Sequence, residues 1–159
     1  MASRDWHPRE TKHFKKFGGP WPEHCVENTA GAKFHPRLKL PPNVIIISKG
    51  MDPQADSYSA FQGFYDKRTE FKKVLINLKI KTLFVGGLAT DYCVKLTVLD
   101  ALKLGYKVNL LTDAIKGVNL KSDDSIKAIA AMIQHGAIKM SFAELQNSVP
   151  QPTHLKTSQ

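Results

Sequence analysis

Thr82-Leu83-Phe84-Val85-Gly86-Gly87-Leu88-Ala89-Thr90-Asp91-Tyr92-Cys93-Val94 decides the fold. Leu83, Phe84 and Val85 form a short apolar run of β type, which a glycine pair then closes. Val94, Leu96, Val98, Leu99, Ala101 and Leu102 follow with helical spacing. The segment therefore reads as a strand, a turn and a helix, with Cys93 where the helix begins. A cysteine at that place feels the positive end of the helix dipole, which lowers the thiol pKa and favours the nucleophilic thiolate. A small buried cysteine packed at a helix start is the plain structural alternative.

Outward from this segment, strands and helices alternate. Val44-Ile45-Ile46-Ile47 is a continuous β-branched run, as in a strand buried on both faces of a parallel sheet. Phe71, Val74, Leu75 and Leu78 make an amphipathic helical stripe. Gly105 ends the helix after Cys93, and Val108–Leu111 is the next strand. Ser122, with Asp123 and Asp124, marks a capped helix start; that helix runs to about His135 and stops at Gly136, and Ala137–Met140 is a short last strand. The alternation predicts an α/β fold with a parallel sheet and right-handed crossovers. Residues 1–150 form one domain, and the polar stretch 151–159 reads as a flexible tail.

With 159 residues the chain can bury a full core. It has no apolar run of the roughly 20 residues that a bilayer requires and no apolar signal region at its start. Two cysteines, Cys25 and Cys93, make no disulfide framework, so the expected compartment is a reducing cytoplasm. The net charge of +9 is spread over helix faces through Lys67, Lys72, Lys73, Lys79, Lys121 and Lys127. No basic run interleaves with aromatics, so neither nucleic acid nor membrane is an expected partner.

The first forty residues carry little periodicity but much chemistry. Asp5 and His7, two apart in an extended segment, point to one side and can share an ion. The Gly19-Pro20-Trp21-Pro22 turn leads on to His24. A mixed Asp5/His7/His24 set with open positions suits zinc, iron or manganese. Surface histidines with no ion are the alternative.

Several segments carry a family look: Asp5-Trp6-His7-Pro8; Gly19-Pro20-Trp21-Pro22-Glu23-His24-Cys25-Val26; Lys49-Gly50; Asp56-Ser57-Tyr58-Ser59-Ala60-Phe61; and Gly87-Leu88-Ala89-Thr90-Asp91-Tyr92-Cys93-Val94. Together, and in this order from Asp5 to about Leu145, they resemble the nicotinamidase branch of the isochorismatase-like cysteine hydrolases. The resemblance implies a three-layer α/β fold, a mostly parallel sheet flanked by helices. It implies Cys93 as nucleophile and Lys49 as the catalytic lysine. Asp5, His7 and His24 become metal ligands, with zinc first and manganese or iron as alternatives. It further implies a cis Leu88–Ala89 peptide, an oxyanion hole from the Ala89 and Cys93 amides, and Trp21 and Tyr58 as walls of a ring pocket. The implied activity is hydrolysis of nicotinamide to nicotinate and ammonia through a Cys thioester in NAD salvage. The alternative is a form that binds metal or nicotinamide without turnover. Oligomeric state is left open.

The chain departs from the family pattern in two places. The family's catalytic aspartate ends an apolar strand upstream of Asp-x-His, and no such strand precedes Asp5 here. The expectation is a sheet without its first strand and an open edge on the Val44 strand, with Asp52, Asp56 or Asp91 as candidate replacements for the carboxylate. His13 stands where relatives carry a serine, and is expected as a solvated histidine rather than an additional ligand.

Overall fold

Two sheets and four helices make up the fold, and the computed structural model describes residues 1–148. The expected tail at 151–159 and the last two residues of the expected domain lie outside that range. In the first sheet, β1 (Ala2–Asp5) runs parallel to β2 (Ile46–Lys49), with Ala2 opposite Ile46 and Asp5 opposite Lys49. An antiparallel hairpin, β3 (Phe64–Tyr65) and β4 (Thr69–Glu70), continues that sheet beyond β2. The second sheet is all parallel: β5 (Thr82–Leu88), β6 (Lys107–Lys116) and β7 (Ile138–Met140), in that order.

The α/β class agrees with the pattern of the sequence, while the single mostly parallel sheet becomes one mixed and one parallel sheet. The edge expectation also needs correcting. β2 is paired on both sides, by β1 and β3, and the edges are instead β1 and β4 in the first sheet and β5 and β7 in the second. The hairpin has no glycine in its turn and so leaves no conventional turn signal in the sequence. Asp66 and Lys67 both adopt positive φ, at 53° and 66°, and the Asp66 carboxylate accepts the Arg68 and Thr69 N–H groups.

The helices follow their apolar stripes. α1 (Phe71–Asn77) buries Phe71, Val74 and Leu75. Leu78, expected on the same face, is 49% exposed, because the helix ends before it and Lys79 turns the chain with φ 55°. α2 (Lys95–Lys103) presents Val98 and Ala101, both fully buried, to Val108, Leu110 and Met132. A fully buried Val, Leu or Met side chain such as these contributes about 1.5–3 kcal/mol. α3 (Asp124–Gln134) starts as expected near Asp123, but Ser122 does not cap it. Asn119 Oδ1 accepts the Ser125 N–H at 2.9 Å and does that work from a preceding loop. α4 (Phe142–Ser148) closes the described chain, its first N–H donated to Asp113. β6 outruns the expected Val108–Leu111 because the register shifts past Val85, letting Gly87 and Leu88 pair with Ile115 and Lys116.

Candidate active site and metal centre

The C-terminal ends of β1, β2 and β5 converge on one cavity of about 200 Å³, lined among others by Asp5, Lys49, His13, His24, Ala89 and Cys93. Cys93 lies in a π-type turn, Thr90–Val94, which runs directly into α2. The expected strand, turn and helix are all present, with the sulfur displaced from the first α-helical turn to the bend before it.

Lys49 reaches the sulfur from the end of β2. Its ammonium is 3.3 Å from Cys93 Sγ, donates to the Ser57 carbonyl at 3.2 Å, and donates to the Asp5 carboxylate. Lys49 is only 3% exposed. Burial works against its charge, yet the Asp5 carboxylate and the Cys93 sulfur together hold its pKa above the ordinary lysine value. An ammonium against a thiol is the arrangement that favours thiolate.

Asp5 is engaged with Lys49 and also lies near enough to His7 for its charge to act on that ring. The three groups that gather are His7, His13 and His24, with one ring nitrogen of each within 4.8 Å of the others. His13 is buried at 4% exposure, which overturns its expected solvation. The three rings are held by one device. His7 Nδ1 donates to the Gly50 carbonyl at 3.0 Å and His24 Nδ1 to the Pro22 carbonyl at 2.7 Å. His13 Nδ1 donates to Asp56 at 2.5 Å. Carbonyls and carboxylates only accept, so each Nδ1 carries a proton and Nε2 is the nitrogen each ring leaves for a ligand contact. Oxygen acceptors behind Nδ1 are the usual outer support of a histidine metal site. His7 Nε2 is buried with no partner among the described residues, as an empty ligand position would be. Burial pushes His7 down to about 4, so its imidazole is neutral at pH 7 and able to ligate. Gly50 is required here: its φ is 71°, and a Cβ would lie 2.4 Å from the His7 ring. The donor set thus suits a divalent ion such as zinc.

An aromatic wall completes the cavity. Trp21 Nε1 donates to Tyr58 OH at 2.8 Å, so both expected pocket residues stand on it. Tyr92, for which the sequence pattern predicts no role, packs edge-on to Trp21 at 4.8 Å. Leu88, Ser57 and Val118 also line it. The Leu88–Ala89 peptide is cis. Of the candidate replacement carboxylates, Asp52 accepts the Gln54 N–H, Asp56 holds His13, and Asp91 accepts the Val118 and Asn119 N–H groups. None of these contacts is to Cys93 or Lys49, whereas Asp5 meets Lys49 directly.

A cysteine in a strand-turn-helix, beside a buried lysine and a histidine cluster on an α/β scaffold, defines a class of sites rather than a single enzyme. The chain belongs to the isochorismatase family: the isochorismatase domain model matches residues 1–144. It is 40% identical to the nicotinamidase of Escherichia coli (strain K12), over 93% of this chain and 77% of that protein. The pyrazinamidase of Pyrococcus horikoshii, solved in complex with zinc, superposes with a TM-score of 0.79 at 42% identity, covering 88% of this chain and 73% of that one. PnC1 from L. infantum in complex with nicotinate gives a TM-score of 0.80 at 35% identity, covering 89% of this chain and 71% of that one.

Proposed function

We propose that this chain is a metal-dependent amidase that hydrolyses nicotinamide to nicotinate and ammonia. Pyrazinamide is a second substrate, and the setting is NAD salvage in a reducing cytoplasm that keeps Cys25 and Cys93 as free thiols. The observation that carries the reading is Lys49 Nζ lying between Cys93 Sγ and the Asp5 carboxylate, on a cavity shared with three imidazoles. Relatives named as nicotinamidases support the choice of ring amide.

In this reading the Cys93 sulfur attacks the carboxamide carbon, and the thiol proton passes into the Asp5–Lys49 pair. The backbone N–H groups of Ala89 and Cys93 receive the charge that builds on the carbonyl oxygen. The C–N bond breaks as the nitrogen takes the stored proton, and ammonia leaves behind a thioester. Water then attacks the thioester carbon, the C–S bond breaks, and the sulfur regains its proton. Trp21, Tyr58 and Tyr92 hold the ring and exclude water. His7, His13 and His24 would hold a divalent ion, zinc first with manganese or iron as alternatives, which would supply a Lewis-acid anchor for the ring nitrogen.

Ammonia release from nicotinamide, measured on purified protein with added Zn²⁺ or Mn²⁺, tests the reading against Cys93→Ala. The expected result is turnover that disappears in the variant. Equal rates in the two proteins overturn it, and nicotinamide binding with no ammonia release leaves a binding protein in its place.

A further inference from the structure

Asp91 precedes Cys93 by two residues, in the same turn, and is only 7% exposed. No cation pairs with it among the described residues. Its two oxygens instead accept separate backbone N–H groups, Oδ1 from Val118 at 2.9 Å and Oδ2 from Asn119 at 2.8 Å. Both amides belong to the loop that follows β6, and Val118 lines the cavity.

That loop has little apolar packing to fix it, since Val118 is 46% exposed and belongs to neither core cluster. Polar ties hold it at both ends. Asn119, at φ 54°, passes its side-chain oxygen to the first turn of α3. Gly117 is wedged so closely that a Cβ would stand 1.9 Å from Ser125 Oγ and 3.1 Å from Asp91 Oδ1. Hydrogen bonds from N–H groups to a buried carboxylate are charge-assisted and directional. The carboxylate therefore locks the loop to the turn that carries the sulfur.

We infer that Asp91 is a positioning residue that holds Val118 as one wall of the cavity, and so sets the breadth of the ring that reaches Cys93. Only the identity of that ring rests on the amidase reading; the wall itself does not.

The test compares alkylation of Cys93 by iodoacetamide and by N-(1-naphthyl)iodoacetamide in the zinc-loaded full chain, followed at Cys93 by mass spectrometry. Asp91→Asn sets an N–H₂ against a backbone donor, and Val118→Ala removes the wall directly. In both, the ratio of the bulky to the small reagent's rate is expected to rise, by about tenfold for Asp91→Asn, the scale of one lost charge-assisted hydrogen bond. Ile126→Ala, on an exposed face of α3, keeps the wild-type ratio. An unchanged ratio in Val118→Ala, or equal acceleration of both reagents in Asp91→Asn, overturns the inference. If Asp91→Asn fails to fold, Asp91→Glu decides it: moving both oxygens away from the Val118 and Asn119 N–H groups is expected to raise the ratio, and an unchanged ratio overturns the inference. Absence of ammonia release in the wild type would defeat the amidase reading, while the alkylation ratio would still decide whether Asp91 sets the wall.

Discussion

Asp5 and Lys49 stand opposite one another in the parallel register of β1 and β2, and the lysine donates to the aspartate while touching the Cys93 sulfur. Register partners in a parallel pair share a face of the sheet, so backbone pairing itself delivers the carboxylate to the ammonium. The proposed proton store is therefore built into two strands rather than into mobile loops.

Asp5→Asn keeps the shape but removes the proposed proton acceptor. Turnover of nicotinamide is expected to fall by about 10²–10⁴-fold, the usual contribution of a general acid-base group. Zinc content, measured by mass spectrometry of the metal, stays near the wild-type value if His7, His13 and His24 alone hold the ion. A parallel loss of zinc would place Asp5 in the ligand set.

His13→Ala removes one imidazole and frees Asp56. Bound zinc is expected to drop, and the protein to lose most of its zinc-dependent thermal shift. A ligand present at 100 times its Kd stabilises the folded state by about 2.7 kcal/mol, so chelation of the wild type lowers the melting temperature measurably. Wild-type zinc retention in His13→Ala would make this histidine a bystander.

Lys49 gives a pH signature. Its pKa is raised in the folded chain, so the folded state binds that proton more tightly than the unfolded state does. The stabilisation is complete below the unfolded lysine value of about 10.4 and is lost as pH climbs through the folded value. Urea midpoints measured from neutral to strongly alkaline pH should fall at the top of the range, and Lys49→Met should flatten that fall. An identical decline in both proteins would refute it.

Leu110 is fully buried in the middle of β6, against Val98 and Met132. Leu110→Ala should cost about 2–5 kcal/mol through lost transfer energy and a cavity, read as a lower denaturation midpoint with an unchanged slope.

The sequence made some of this legible and concealed the rest for identifiable reasons. Cys93 could be placed because an apolar run, a glycine pair and a helical stripe bracket it. His7 and His24 could be paired because a rigid proline-rich turn separates them. The contact of Asp5 with Lys49 could not be read, since it rests on the parallel pairing of two strands 44 residues apart. His13 looked solvated because loop burial has no period; stacking on His7 at 4.4 Å and nearness to Phe14 and Trp21 bury it. Val118 had no local signal at all, being placed by a carboxylate 27 residues earlier in the chain.

The site straddles the two sheets. Imidazoles, carboxylate and ammonium come from the part of the chain that builds the mixed sheet, while the sulfur comes from the part that builds the parallel one. Phe61 and Leu83, with Tyr106, pack against both apolar clusters and rivet the halves together. Neither half can assemble chemistry in isolation, so the first moment at which this thiol encounters its ammonium is also a signal that the halves have docked.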